Sequence, residues 1–159
     1  MDIISKRNDK VSFIELIDSP DRFVRMRGFT EFSQNKNPIE YSRRYVDENS
    51  ERNDVIGYSP SVSYSFDKFS GNEVHLELIA IFDNETVGTD AVRRIVVVDM
   101  ASPADEKPAI CREWTIIPDS EGTDNDAYTY SGTLKSNGEC VFGTAKSSDN
   151  WQSCTFTKK

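Results

Sequence analysis

Along residues 58–66 apolar and polar positions alternate. Tyr58, Val62, Tyr64 and Phe66 share one parity, and Ser59, Ser61, Ser63 and Ser65 hold the other. This period of two predicts a strand with one buried face, and Pro60 puts its start at an edge or a bend. Upstream, Arg22 to Glu31 alternates more loosely and also reads as a strand. The cluster Asn35-Lys36-Asn37-Pro38 marks a turn, so Ile39 to Val46 reads as the returning strand of a hairpin. Downstream, Ala91 to Met100 is β-branched and apolar, a strand with Val97 expected in the core. Ile110 to Ile117 is another strand, ended by Pro118. Ala127 to Leu134 and Glu139 to Ala145 flank Asn137-Gly138, the turn signal of a second hairpin. Trp151 to Phe156 supplies a last short strand.

Between residues 70 and 84 two periods compete. Val74, Leu76, Leu78, Ala80 and Phe82 alternate like a strand. Val74, Leu78, Ile81 and Phe82 also fall on one helical stripe, Ser70 and Glu73 have capping-box spacing, and Gly88 supplies a stop. The helix, over about 73–84, is preferred to the strand. Val11 to Ile17 reads either as a short strand or as part of an arm packed on something else. The sum is a mainly β chain, an antiparallel β-sandwich or barrel with one flanking α-helix.

Composition narrows the class. The 159 residues are 36% hydrophobic and 11% aromatic, enough for one core and too apolar for wholesale disorder. Nineteen basic against 27 acidic residues give a net charge of −8. That disfavours a protein that grips duplex nucleic acid through its phosphates, although an acidic surface still tolerates DNA sliding past it. The acidity is uneven: residues 1–50 are neutral, residues 51–100 carry −5 and residues 101–159 carry −3. The N-terminus lacks the apolar region of a signal peptide, and no apolar run approaches the length of a membrane span. A reduced, cytosolic setting, with no cofactor and no membrane contact, is expected.

Candidate chemistry is sparse. His75 is the only histidine and is expected on the polar face of the helix. Cys111, Cys140 and Cys154 have no paired spacing for zinc or for a disulfide framework. No nucleophile-elbow, P-loop or zinc-protease motif occurs, and no enzyme activity is expected. The acidic loop Asp119 to Asp126 lacks the glycine position and the closing glutamate of a calcium loop. Two features suit assembly better than catalysis. The run Asp47 to Asp54 has no apolar side chain, so it is a solvated loop or a finger that orders on a partner. The doublets Arg43-Arg44 and Arg93-Arg94 put charge on both sides of a strand. They read as strand-end protection, or as ion pairing across subunits with Asp47-Glu48 or Asp124-Asp126.

These features, in this order, resemble the major tail protein, the tail tube subunit of long-tailed bacteriophages of Gram-positive hosts. The resemblance rests on Tyr41 to Glu48, Asp54 to Asp67, Ile81 to Asn84 with Val87 to Ala91, Trp114 to Asp119, Tyr130 to Leu134 and Asn137 to Gly143. It implies an N-terminal arm at 1–20 and one tail-tube-like sandwich domain at 21–159, with a hydrophilic loop at 47–54. It also implies hexameric rings whose inner strands close into a lumen. The rings would stack around a tape-measure protein, meet a tail terminator and distal tail or baseplate proteins, and conduct DNA as passing cargo. The location implied is the virion tail, assembled in the host cytoplasm. Asp47, Glu48, Asn49, Glu51, Arg52 and Asp54, with Arg43 and Arg44, are the residues implied in contacts between rings or subunits. A capsid decoration protein, a type VI-like secretion tube protein and a calcium- or carbohydrate-binding β-sandwich module are the alternatives.

Overall fold

The longest strand organises the molecule. In the computed structural model, which describes residues 2–159, strand β8 runs unbroken from Lys107 to Glu121. It continues past Pro118 by taking up a bulge between Pro118 and Ser120, where a proline can sit without a ladder bond. Before it lie β1 (Lys10–Glu15), β2 (Phe23–Arg25), β3 (Phe29–Asn35), β4 (Pro38–Arg43), β5 (Arg52–Tyr58), β6 (Ser61–Asp67), helix α1 (Glu73–Asp83) and β7 (Val92–Asp99). After it come β9 (Thr129–Ser136), β10 (Val141–Lys146) and β11 (Ser153–Lys158).

Nine strands form one antiparallel sheet in the order β10-β11-β2-β1-β7-β8-β9-β6-β3. Because β10 also pairs with the first half of β8, the strands from β10 to β8 close into a barrel. The second half of β8, with β9, β6 and β3, extends from the barrel as an open four-stranded sheet. Strands β4 and β5 pair only with each other.

Two cores follow from the period of two. Phe13, Phe23, Val96, Val98 and Cys111 fill the barrel interior. On the other side, Val74, Leu78, Ile81 and Phe82 of α1 cover Val62, Tyr64, Phe66, Trp114 and Ile116. The alternation of β6 is therefore real: its apolar side lies under the helix and its serines face away. Each such buried side chain stabilises the fold by about 1.5–3 kcal/mol. The helix at 73–83 confirms the helical period, with a different cap. Asn72, not Ser70, accepts from the amides of Val74 and His75, at 3.0 and 3.2 Å.

Several expectations change. Residues 10–15, expected within the arm, form an inner strand between β2 and β7, because Phe13 and Ile14 are buried on opposite faces. Neither turn cluster closes a hairpin between its flanking strands. Residues 35–38 bend β3 into β4, and residues 137–140 bend β9 into β10, so that β9 and β10 lie end to end along one edge of β8. His75 is not on a polar face: it is wholly buried. Val97 is only half-buried, on the outside of the barrel, while Val96 points inside. No helix among the described residues is long and apolar enough to cross a membrane.

Candidate functional site

The feature that leaves the body is a ribbon. Strands β3 and β6 pair as far as Asn35↔Ser61, and β4 and β5 take over from Pro38↔Tyr58. One long hairpin is thus folded at a hinge. Asn37, at φ +46°, makes the bend, and its side-chain amide donates to the Ser59 carbonyl at 3.1 Å and to Ser61 Oγ at 2.9 Å. Pro60 is buried on the opposite strand. An asparagine tolerates this left-handed conformation better than most residues do.

Beyond the hinge the ribbon has no body to lean on. Ile39, Tyr41, Val55, Ile56 and Tyr58 are all about half exposed or more. A lone two-stranded ribbon in water is marginal, and this much exposed apolar surface marks a contact site. At its end, four of the predicted residues build a knot. Arg43 pairs with Asp54, donates to the Tyr45 hydroxyl at 2.7 Å and lies over the Tyr41 ring at 4.9 Å. The Tyr45 hydrogen bond, with Asp54 behind it, pushes the Arg43 pKa up. Arg52 holds Glu48 by both carboxylate oxygens, at 3.0 and 3.1 Å. The knot braces the turn, so that Arg44, Val46, Asp47, Asn49 and Glu51 project as exposed side chains.

The predicted loop is therefore displaced. The turn covers residues 44–51, and Arg52, Asn53 and Asp54 belong to β5. Arg43 ends β4 and pairs with Asp54 of its own chain, and Arg44 lies in the turn, so this doublet stands at a strand end rather than on both sides of a strand. Arg93-Arg94 also pairs within the chain. Arg93 pairs with Glu77 of α1 at 2.9 Å, and Arg94 pairs with Glu15 and, at 2.8 Å, with Asp21. Neither engages Asp124 or Asp126. Sequence reasoning missed Tyr41, Tyr45, Val46, Val55 and Ile56 as surface groups, because apolar residues in a strand read as core.

The open four-stranded sheet is the second exposed feature. Its far edge is β3, which pairs with β6 on one side alone. Its near edge is the end of β8, since β7 stops pairing at Thr115 and β9 continues to Glu121. The face turned away from the helix carries Ser61, Ser63 and Ser65 beside Ser131, Thr133 and Lys135. Among the described residues, no cluster of His, Cys, Asp and Glu is arranged to hold a metal. Both nitrogens of His75 are engaged by backbone groups, which leaves the imidazole no free position for acid–base work.

No family model and no curated protein sequence matches the chain. Solved structures do. A chain from the tail of an empty gene transfer agent particle, refined with C6 symmetry, matches with a TM-score of 0.63 at 17% identity. The match covers 87% of this chain and 98% of that one. A chain from the baseplate of the anti-feeding prophage gives 0.55 at 8% identity, covering 89% and 95%. A chain from the sheath/tube terminator of an extracellular contractile injection system, PVC, gives 0.54 at 13%, covering 89% and 97%. The fold is thus the tail-tube-like one, a large antiparallel sheet with one helix. The likeness reaches tail assemblies in general and does not narrow to phages of Gram-positive hosts.

Proposed function

We propose that this chain is a non-catalytic tail tube subunit that assembles as stacked hexameric rings, with DNA as cargo in the lumen. The observation that carries the reading is the pair of open edges on one four-stranded sheet. Its strands alternate in direction, so β8 of one copy and β3 of the next meet antiparallel. Those edges differ, so the contact is head-to-tail and closes into a ring. Closure also removes edges that would otherwise invite aggregation. Six copies give about 24 strands, roughly 115 Å of circumference at the usual strand spacing and roughly 37 Å of backbone diameter. The hydroxyl-rich face lines such a lumen well: it is wettable and holds few cations to grip phosphate.

In this reading the ribbon reaches the neighbouring ring. Arg44, Asp47, Asn49 and Glu51 make the contact directly, and Arg43, Glu48, Arg52 and Asp54 keep the turn in shape. The tape-measure, terminator and distal tail or baseplate proteins are the other partners, and the virion tail is the location. A tube of an injection device without DNA is the second reading, favoured by the likeness to injection-system chains. Electron microscopy of concentrated purified protein tests assembly: sixfold rings or tubes are expected, and a strict monomer contradicts it. Replacing residues 44–51 by Asn-Gly keeps β4 and β5 joined. It should leave the melting temperature unchanged and abolish tube growth. Heads filled with DNA on particles that carry this protein separate the first reading from the second.

A further inference from the structure

One surface of the barrel is left uncovered, and its chemistry is unlike the rest of the molecule. Where α1 ends, the outer face of β7, β8 and β10 forms an open groove floored by Val97, Ile110, Trp114 and Phe142. Phe142 is 60% exposed and Ile110 40% exposed, on strands whose other faces are packed. The rim holds Lys6, Arg7, Lys10, Lys36 and Arg112, and no carboxylate lines it. None of these five cations forms an ion pair among the described residues. In a chain of net charge −8, five unpaired cations around an apolar floor are a strong local exception. Arg112 lies with its guanidinium 5.7 Å from the Trp114 ring centre, and its buried Nε has no hydrogen-bond partner. Buried donors of this kind are ordinarily satisfied, so Arg112 is incompletely bonded where it lines the groove.

We propose that the occupant is the ribbon tip of a second copy of this chain. The tip carries the complementary pattern: Val46, fully exposed, stands between Tyr45 and Asp47, and with Glu48 taken up by Arg52 the two exposed carboxylates Asp47 and Glu51 outweigh the one free cation, Arg44. Its exposure shows that a chain does not seat its own tip in its own groove. Groove and tip are different surfaces, so each copy offers one and takes one. The contact propagates from copy to copy. The groove also touches the end of β3, through Ser33 and Gln34, and Lys36 just beyond it, which leads into the ribbon. Each tip therefore lands near the base of the next ribbon. This docking names the receiving surface for the ring-to-ring contact and rests on the tube reading above for its context.

Charge exchange and a crosslink test it. Lys6→Glu/Lys36→Glu alters exposed groove residues, and Asp47→Lys/Glu51→Lys alters exposed tip residues, so both variants should keep the native circular dichroism. Each alone should need at least about tenfold more protein to assemble, because like charges then face each other. Mixed in equal amounts, they should assemble near the wild-type concentration, since each tip then finds an opposite groove in the other variant. Cys140 lines the groove. Val46→Cys treated with diamide, which takes up the two electrons and two protons released by the thiols, should give a ladder of linked chains. Adding Cys140→Ser should remove the ladder. A ladder without tubes in the microscope keeps the docking and overturns the tube. Tubes that are indifferent to the charge changes and give no ladder overturn the docking and leave the tube standing. A ladder from Ile4→Cys but not from Val46→Cys assigns the groove to the N-terminal segment and overturns the ribbon as its occupant.

Discussion

The buried histidine should make this protein sensitive to mild acid. Nδ1 of His75 accepts from the Phe69 amide at 3.1 Å, and Nε2–H donates to the Arg27 carbonyl at 2.5 Å. The ring stacks on Phe66 at 4.6 Å and on Phe69 at 5.6 Å. Gly28 makes room for it, since a Cβ there would lie 2.9 Å from His75 Cε1. All of this fits the neutral ring. Protonation at Nδ1 removes the acceptor and turns N–H against N–H. Burial therefore holds the pKa below the ordinary value, and it outweighs the Arg27 carbonyl and the Asp67 charge, which act the other way. With the folded pKa depressed, the unfolded chain binds the proton first. Stability is complete above the unfolded value of about 6.5 and is lost as pH falls below it. One proton bounds the effect: between pH 7.5 and 5.5 the unfolding free energy falls by up to about 1.4 kcal/mol. Urea unfolding of the purified protein, followed by tryptophan fluorescence at the two pH values, measures it. His75→Gln keeps one acceptor and a donor but does not titrate, so it should be less stable at pH 7.5 and indifferent to the change. A wild-type midpoint that does not move, or a glutamine variant that moves equally, refutes the argument.

Two other substitutions separate packing from polarity. A Cβ on Gly132 would meet the Ile117 carbonyl and lie 2.7 Å from the Tyr64 hydroxyl. Gly132→Ala should therefore lower stability by about 1–3 kcal/mol in thermal melts. The Tyr64 hydroxyl is buried with no hydrogen-bond partner, so Tyr64→Phe should be neutral or stabilising by up to about 1 kcal/mol. Val96→Asp should unfold the protein, because it puts a carboxylate inside the barrel. Val97→Asp, on the open groove, should stay soluble and folded by near-ultraviolet circular dichroism.

What the sequence reveals here depends on whether the deciding contact is local. The alternation at 61–67 and the helical stripe at 74–82 are legible because one face of each element is buried and the other is wet. The two turn clusters are legible as bends but misleading as hairpins. Asn37 and Asn137-Gly138 do break their strands, yet reversal depends on which strand edge is free to pair. After residue 136 the edge of β8 is still available. The Asn137 amide donates to the Glu113 carbonyl at 2.9 Å, and the chain continues along the same strand. Strand β1 is obscured by its short apolar stretch between Lys10 and Glu15, although Phe13 and Ile14 are both fully buried. The ribbon is obscured for the opposite reason. Its apolar residues carry the signature of burial, and the cover they lack in a single chain is not encoded within a window of neighbouring residues.

Charge shows the same separation of local from global. The neutral total over residues 1–50 suggests an unremarkable surface. In the fold, Arg22 and Arg43 of that segment pair with Glu73 and Asp54, while Lys6, Arg7, Lys10 and Lys36 collect unpaired at the groove. Arg52, Arg93 and Arg94 also pair within the chain. Nine further cations, among them Arg25, Arg44 and Lys68, form no ion pair among the described residues and lie outside the groove, so the groove is a concentration of cations without a carboxylate rather than the one basic surface. Two copies meeting groove to groove would set cation against cation. A contact between unlike surfaces avoids this, and such contacts form rings or filaments rather than closed pairs. The distribution of charge, more than the net −8, therefore favours head-to-tail growth.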